Sequence, residues 1–241
     1  TVICITLLKT KRMSKKNKTK IIAICNQKGG VGKTTTAVNL SAFLAASEQA
    51  TLVVDMDPQA NCTSGFGIEV GSYKNSVYDV IIGKKNINQC ILKSKLDFLD
   101  VLPASAQLVG AEIELVGMLT RESMLKEQLM DDKVQKKYKY IIIDSPPSLG
   151  LLTINVLTAA QSLIIPIQCE YYALEGLSQL LNTIRLVQKK LNKKLSIEGI
   201  LATMFDSRLN LSKEVVKELK EYFGDKVYKT AIHRNVRLGE A

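Results

Sequence analysis

The sequence is poor in the residues on which several kinds of site depend. It contains a single histidine, His233. A single histidine argues against a histidine-based catalytic triad and against a metal site built from several histidines. Its five cysteines lie far apart and without C-x-x-C spacing, at Cys4, Cys25, Cys62, Cys90 and Cys169. An odd and scattered set indicates free thiols in a reducing cytosol and not a disulfide framework or a zinc site.

The N-terminal apolar run is too short to cross a bilayer. Residues 1–8 fall well below the roughly 20 residues that a membrane-spanning helix needs. The basic residues 9–20 follow this run, whereas a secretory signal peptide carries its charges before it. The chain does not begin with methionine, and Met13 is a plausible natural start. We expect residues 1–19 to be a disordered basic leader or a mis-assigned start, and residues 20–241 to form one domain.

The formal charge of +10 is unevenly distributed. Residues 1–20 hold seven Lys or Arg and no acid. Residues 21–184 carry a net charge of −3, and residues 185–241 carry +6. The basic C-terminal part is compatible with nucleic-acid binding and equally with a solvated face, so charge alone leaves both open.

The most informative segment is residues 26–36, with the sequence NQKGGVGKTTT. An apolar strand-like run precedes it, and a segment with the pattern of a sheet-packed helix follows it. Strand, glycine-rich turn and helix together make a phosphate cradle, in which Lys33 pairs with the β- and γ-phosphates and Thr34 binds Mg²⁺. The other predicted nucleotide-binding residues of this loop are Lys28, Gly29, Gly30, Val31, Gly32 and Thr35.

The loop departs from the usual phosphate-binding pattern in two places. Gln27 stands where that pattern begins with glycine, and a second lysine, Lys28, precedes Lys33 by five residues. This is the deviant Walker A motif, and it resembles the family that contains the partition ATPases, MinD and the nitrogenase iron protein. The resemblance implies that Lys28 reaches across a dimer to the partner's nucleotide. It also implies that Gly29 lies at the dimer contact, where a side chain would clash.

Three aspartates follow buried strand-like runs. Asp55 and Asp57 come after residues 51–54, and Asp144 ends residues 140–144 in the Walker B pattern. Ligands collect at the carboxyl ends of parallel strands, so we expect Asp144 to hold Mg²⁺, through water, against Thr34. We expect Asp57 to position or activate the attacking water, with Asp55 sharing the metal shell. An aspartate-proline turn is the simpler explanation for Asp57 taken alone.

From residue 21 to the end, the sequence resembles ParA/Soj-type chromosome-partitioning ATPases, most closely in the segment EYYALEG that begins at Glu170. The resemblance implies Mg²⁺-dependent ATP hydrolysis, homodimerisation on ATP binding, non-specific binding to nucleoid DNA in the cytoplasm without membrane binding, and hydrolysis stimulated by a ParB-type partner. It places Arg234 and Asn235 at the adenine, although His233 stands where the family usually has proline. It also assigns DNA contacts to Arg208 and Arg237. The family continues through a further loop and helix, so we expect the chain to be truncated at its C-terminus.

The alternation of strands and helices predicts an α/β fold, with a doubly wound, mostly parallel sheet flanked by helices, in a P-loop NTPase of the deviant Walker A type. Within it we expect a mobile loop at residues 61–67, helices at 87–92 and 121–136, and a last strand at 228–232.

Three other functions remain open on the sequence alone. A MinD-like membrane-associated ATPase needs a C-terminal amphipathic helix, and the chain ends before one appears. An iron-sulfur electron carrier needs paired thiolates at a dimer axis, which the cysteine spacing does not support. A ligase or kinase using the same loop would need a substrate pocket or a phosphate acceptor that no motif reveals. Chromosomal or plasmid origin and any role in replication or transcription are not encoded in these motifs.

Overall fold

The computed structural model describes residues 19–170 and 173–235, with the side chains of residues 173–175 outside that description. Most of the predicted leader and Arg237 therefore lie outside the described residues. Thr19 is buried, and its hydroxyl lies 2.8 Å from the carbonyl oxygens of both Gln135 and Tyr138. Thr19 thus packs against the folded domain.

Six strands in parallel and one short antiparallel strand form a single sheet among the described residues. In chain order the strands are Lys20–Ile24 (β1), Thr51–Asp55 (β2), Leu92–Lys93 (β3), Leu99–Leu102 (β4), Tyr140–Asp144 (β5), Ser162–Gln168 (β6) and Ser196–Thr203 (β7). Across the sheet they follow the order β3-β4-β2-β5-β1-β6-β7. The first strand is central, and the winding reverses beside it, which is where a crevice opens in folds of this class.

Helices cover both faces of the sheet. In chain order they are Lys33–Ala46 (α1), Asn61–Gly65 (α2), Val77–Ile81 (α3), Leu108–Val116 (α4), Met124–Leu129 (α5), Asp132–Lys137 (α6), Leu151–Ala159 (α7), Ala173–Lys190 (α8) and Asn210–Phe223 (α9). In the described part of the chain, none is both long and apolar enough to cross a membrane.

Side chains that alternate along β1 enter two different hydrophobic cores. Ile22 and Ile24 pack in the core that α1 covers, whereas Ile21 and Ala23 belong to the larger core on the opposite face. Burying each large aliphatic side chain contributes roughly 1.5–3 kcal/mol relative to its exposure. The predicted doubly wound, mostly parallel fold is confirmed.

The expectation of one helix over residues 121–136 is wrong. The segment forms α5 and α6, because Asp131 interrupts it and caps the second helix. The Asp131 side chain accepts hydrogen bonds from the amides of Lys133 at 2.9 Å and Val134 at 3.4 Å. Such a cap satisfies helix-start donors that have no partner within the helix.

Three other local expectations also differ from the structure. Residues 61–67 contain the short helix α2, with Cys62 and Thr63 buried, and are not simply a loop. The short helix expected over residues 87–92 is a 3₁₀ helix limited to Ile87–Gln89, and Leu92 already belongs to β3. Residues 228–232 form no strand, and this part of the chain meets its neighbours through isolated bridges, one of them between Phe205 and His233.

Candidate nucleotide site

The register of three neighbouring strands brings two of the predicted acidic residues together. Asp144 at the end of β5 pairs with Ile24 of β1 on one side and with Asp55 of β2 on the other. The glycine-rich loop follows β1 directly. The loop and both carboxylates therefore share one edge of the sheet, at the carboxyl ends of parallel strands.

The glycine-rich loop delivers the start of α1 to this edge. Gly30 and Gly32 have φ angles of +73° and +87°, in the left-handed region that glycine adopts without strain. As the residue that caps α1, Gly32 offers no side-chain acceptor, and the first turn of the helix contains no acidic residue. The first amides of α1 are therefore suited to bind an anion, and the helix dipole favours one there.

Two polar side chains outside the motif hold the loop in place. The Thr203 hydroxyl, at the end of β7, donates to the carbonyl oxygen of Val31 at 2.9 Å. The Asn26 amide donates to the carbonyl oxygen of Pro166 in β6 at 2.7 Å, and its own oxygen accepts from the Lys28 amide at 3.1 Å. The sequence predicts neither anchor, and its only signal is the position of Asn26 directly before the loop.

Lys33 is buried beneath the loop, with 5% of its surface exposed. Its ammonium donates to the carbonyl oxygen of Lys28 at 3.0 Å. Burial lowers the pKa of Lys33 from its ordinary value, whereas the negative charges of Asp144 and Asp57 oppose that shift. A partly desolvated ammonium interacts strongly with an anion, because little water remains to screen it.

Asp144 is fully buried, and neither of its carboxylate oxygens has a hydrogen-bond partner of normal geometry among the described residues. Burial raises the pKa of Asp144 to about 8, and the charges of Asp55 and Asp57 act in the same direction. The nearby Thr34 hydroxyl and the Lys33 ammonium lower the pKa. A buried carboxylate without a partner is energetically costly, and a cation beside Thr34 would remove that cost.

Asp55 and Asp57 differ from Asp144 in how their oxygens are used. One oxygen of the buried Asp55 accepts from the Thr63 amide and hydroxyl, at 2.8 and 2.7 Å, and the other accepts from the Asp57 amide at 3.1 Å. Burial raises the pKa of Asp55 to about 6 against the effect of these hydrogen bonds. Asp57 is only half-buried and accepts from the Gln59 amide at 3.0 Å. Asp55 therefore fixes the local backbone, while Asp57 is accessible to water.

The predicted adenine-framing residues lie in a turn that is bonded to the segment after β7. The Phe205 amide donates to the carbonyl oxygen of Ile232 at 2.9 Å, and the Arg234 amide donates to the carbonyl oxygen of Phe205 at 3.2 Å. The rings of Phe205 and His233 meet edge to face, with centroids 5.3 Å apart. His233 thus packs within the turn, and Asn235 follows as an exposed residue.

Glu170, two residues after β6, contacts two predicted nucleotide-binding side chains at once. One carboxylate oxygen lies 3.7 Å from the Lys28 ammonium, and the other lies 3.4 Å from the Arg234 guanidinium. The Gln168 side-chain amide also donates to Glu170. In the sequence, Glu170 is the first residue of the segment EYYALEG that resembles the family. The sequence does not predict its contacts, because Lys28 and Arg234 are distant in the chain.

The predicted DNA contact Arg208 is exposed and paired within its own turn. Its guanidinium donates to both carboxylate oxygens of Asp206, at 3.0 and 2.7 Å. This guanidinium holds the pKa of Asp206 well below its ordinary range. The structure thus gathers the predicted phosphate and metal residues at the sheet edge and leaves Arg208 on an outer turn.

Comparison with known proteins agrees with this arrangement. A family profile described as an AAA domain matches residues 19–197. The Bacillus subtilis sporulation initiation inhibitor protein Soj is 60% identical over 222 residues, covering 92% of this chain and 87% of that protein. The Myxococcus xanthus chromosome partitioning protein ParA is 52% identical over 221 residues, covering 92% and 77%. The chain belongs to the ParA/Soj family of chromosome-partitioning ATPases. The resemblance inferred from its motifs is therefore confirmed.

A solved structure extends the comparison of this ParA/Soj protein to a nucleotide complex. The Mycobacterium smegmatis protein described as cobyrinic acid a,c-diamide synthase, with bound ATP analogue and magnesium, superposes with a TM-score of 0.84. It is 37% identical, and the match covers 90% of this chain and 88% of that one. The shared fold thus occurs with nucleotide and magnesium bound in another protein of different stated activity.

The donors at the sheet edge of this ParA/Soj protein suit magnesium that arrives with a nucleotide. Among the described residues, no group of three or more His, Cys, Asp or Glu is arranged to hold a metal ion. Protein-bound Mg²⁺ usually takes one or two carboxylates and completes its shell with water and substrate phosphates. The unpaired Asp144 carboxylate and the neighbouring Thr34 hydroxyl match that pattern.

Proposed function

We propose that this ParA/Soj protein hydrolyses ATP as a molecular switch in the segregation of chromosomal or plasmid DNA. The observation that carries the proposal is that the buried Lys33 lies close enough to Asp144 to interact with its charge, while neither Asp144 oxygen has a hydrogen-bond partner of normal geometry among the described residues. Both lie beside the glycine-rich start of α1. This arrangement suits a magnesium-bound polyphosphate. The names of the relatives at 60% and 52% identity support partitioning over a MinD-like role or the amide synthesis ascribed to the more distant M. smegmatis protein.

In the proposed reaction, each residue of the sheet edge has a separate task. Lys33, Lys28 and the loop amides stabilise negative charge on the transferring phosphoryl group. Thr34 and Asp144 would hold Mg²⁺, with Asp55 supporting this shell, and the bound ion would supply positive charge to the phosphates. Asp57 orients the attacking water, for which its half-buried position is suited.

The surface around the loop supports pairing of two subunits on ATP. Gly29 is exposed, and a methyl group added there would meet only the Pro147 side chain, at 4.0 Å. The Lys28 side chain is 39% exposed beside it. Because Gly29 has no side chain, a second subunit can approach the loop closely at this point. The solvent-accessible Lys28 can then contact the nucleotide that the partner holds.

The paired subunits bind DNA without sequence preference through basic residues on the outer turn and α9. Arg208 is exposed, and so are three lysines along that helix, Lys213, Lys217 and Lys220. Arg237 is a further candidate on the basis of family resemblance. Such contacts neutralise DNA phosphates and weaken steeply with salt. A ParB-type partner would stimulate hydrolysis and release the DNA, and the protein would act at the nucleoid in the cytoplasm.

The test is retention of non-specific DNA by the protein with ATP and with ADP, measured at fixed salt. We expect retention with ATP and Mg²⁺ and little with ADP. Lys33→Ala should abolish retention under both conditions because it prevents nucleotide binding. The exposed Lys189→Ala, near the end of α8, is the matched control and should behave like the parent protein. Retention that ignores the nucleotide would refute the switch.

Gly29→Val separates pairing from nucleotide binding in the same assay. A Cβ atom added at Gly29 meets only the Pro147 side chain, at 4.0 Å, so we expect ATP binding to persist. We expect the variant to remain a single subunit in sedimentation with ATP and to show no DNA retention. A variant that pairs normally would remove Gly29 from the interface.

A further inference from the structure

We propose that Glu170 is a latch that holds Lys28 and Arg234 on the nucleotide-free subunit and opposes nucleotide binding and pairing until both ion pairs break. The inference rests on the proposed function, because it concerns how two cations reach the nucleotide. It adds a regulatory contact that belongs to neither the phosphate loop nor the metal donors.

The carboxylate is placed between two elements that the chain brings together only by folding. Lys28 lies in the loop after β1. Arg234 lies in the turn that follows α9 and is hydrogen-bonded to Phe205, just after β7. Glu170 follows β6, the strand between β1 and β7 in the sheet. Its two oxygens point to different cations, at 3.7 Å from the Lys28 ammonium and 3.4 Å from the Arg234 guanidinium. One side chain therefore links the phosphate loop to the predicted adenine turn.

Hydrogen bonds hold the backbone at Glu170 in place. Its amide donates to the carbonyl oxygen of Gln168 at 2.9 Å, and the Cys169 amide donates to the carbonyl oxygen of Thr203 at 3.1 Å. The Gln168 side chain also donates to the Glu170 carboxylate. The end of β6 is thus attached to the end of β7, which places the Glu170 backbone beside both the phosphate loop and the turn that carries Arg234.

The two lysines of the loop differ in burial and in the groups that their ammonium groups contact. Lys33 is buried and bonded to a backbone carbonyl, so no carboxylate must release it before it meets a phosphate. Lys28 is instead paired with Glu170 and is 39% exposed. A phosphate group must therefore compete with Glu170 for Lys28 but not for Lys33.

The two ion pairs of Glu170 are weak, so a bound nucleotide can break them. The side chains of Glu170 and Arg234 are 47% and 64% exposed. Exposed ion pairs of this kind typically shift an equilibrium by roughly 1.4- to 5-fold each. Breaking both pairs therefore raises the nucleotide concentration that the protein needs for binding and for dimer formation. High salt should weaken the latch, because it screens both pairs.

The first measurement is nucleotide-dependent pairing of Glu170→Gln, which keeps the side-chain shape and removes its charge. With a non-hydrolysable ATP analogue and Mg²⁺, sedimentation should show half-maximal pairing at about 3- to 10-fold lower nucleotide than for the parent. Glu122→Gln is the matched control, because Glu122 forms a comparable half-exposed pair with Arg121 at 3.1 Å. The control should not shift the midpoint. Unchanged or weaker pairing of Glu170→Gln, with a parent that pairs normally, would overturn the latch.

The second measurement follows Lys28 directly in the nucleotide-free protein. Acetylation of its amine, quantified by mass spectrometry, should proceed several-fold faster in Glu170→Gln, while Lys189 reacts at the parent rate. This readout does not need pairing, so it tests the latch even if the proposed dimer does not form. Equal Lys28 reactivity in the two proteins would overturn it.

A double-mutant cycle tests the Arg234 contact. Glu170→Gln should tighten binding of a fluorescent ATP analogue to the subunit by about 1.4- to 5-fold, and this gain should vanish in an Arg234→Ala background. A gain of equal size in both backgrounds would show that Glu170 acts through something other than Arg234. Circular dichroism melting checks the fold of each variant. Glu170→Asp, with a shorter reach, provides a second substitution with the same expected direction.

Discussion

The charged side chains at the sheet edge differ from those in the surface turns in their burial and in their ion pairing. Lys33, Asp55 and Asp144 are buried at the sheet edge, and Asp144 has no hydrogen-bond partner among the described residues. In the surface turns, Glu170 is half-buried and Arg208 is exposed, and each forms an ion pair with an opposite charge. Buried charges without full pairing are costly and depend on a ligand, whereas exposed pairs are weak and exchange partners easily. The first arrangement suits chemistry, and the second suits switching.

The largest effect is expected from removing the buried charge with Asp144→Asn. Because burial raises the pKa of Asp144 to about 8, the folded protein retains a proton that the unfolded chain loses near pH 4. This residue therefore lowers the free energy of unfolding progressively as the pH rises from about 4 to about 8. Asp144→Asn should raise that free energy at pH 8 by about 1–3 kcal/mol and reduce its dependence on pH.

The measurement for Asp144→Asn is urea unfolding of the nucleotide-free protein at pH 5 and pH 8. The gain should be largest at pH 8 and small at pH 5. ATP hydrolysis should meanwhile fall by at least about 100-fold, because a predicted magnesium donor is removed. Asp132→Asn, an exposed change in α6, is the control and should leave both quantities near the parent values. If the parent protein and Asp144→Asn had equal free energies of unfolding at pH 8, the buried Asp144 carboxylate would ionise without an energetic cost. The contrast between buried charges at the sheet edge and ion pairs at the surface would then be wrong.

A second set of changes is expected from Asp57→Ala, without the gain in stability expected for Asp144→Asn, because Asp57 is only half-buried. Loss of a residue that orients water should slow ATP hydrolysis by about 100- to 10,000-fold. ATP binding should persist, because Asp57 is not assigned to the phosphates, and the paired state and DNA retention should last longer. Phosphate release and sedimentation with ATP measure the two effects. Normal hydrolysis by the variant would remove Asp57 from its proposed role.

The sequence predicts the sheet edge well because its information is local. The glycines and Lys33 form a contiguous motif, and Asp144 ends an apolar run that is typical of a buried strand. Their meeting requires only that parallel strands end together, and the observed pairing of Asp55 with Asp144 fulfils this requirement. A local motif and a general rule of α/β sheets are sufficient here.

The sequence does not predict interactions whose partners are distant in the chain. Glu170 meets Lys28 and Arg234 only because β1, β6 and β7 are neighbours in the sheet. Thr203 anchors the phosphate loop for the same reason, across 172 residues. The break between α5 and α6 is a local failure of a different kind, because the pattern of apolar residues continues across the capping residue Asp131.

The smallest effect is expected from Arg208→Ala, which tests the outer turn. This side chain is exposed and, within residues 19–170 and 173–235, its ion pair is with Asp206 of the same turn, so its removal should leave the unfolding midpoint unchanged within error. If Arg208 binds a phosphate, non-specific DNA affinity should fall, and the slope of log affinity against log salt should decrease by about 1 for each phosphate that is no longer neutralised. Arg185→Ala, an exposed arginine of α8 that bonds to Asn182 at 3.2 Å, is the matched control. An unchanged slope would direct attention to the lysines of α9 and to Arg237. If Arg208→Ala instead lowered the free energy of unfolding by as much as Asp144→Asn is expected to raise it, the Arg208–Asp206 ion pair would stabilise the fold. Such a pair would be poorly suited to exchange Asp206 for a DNA phosphate.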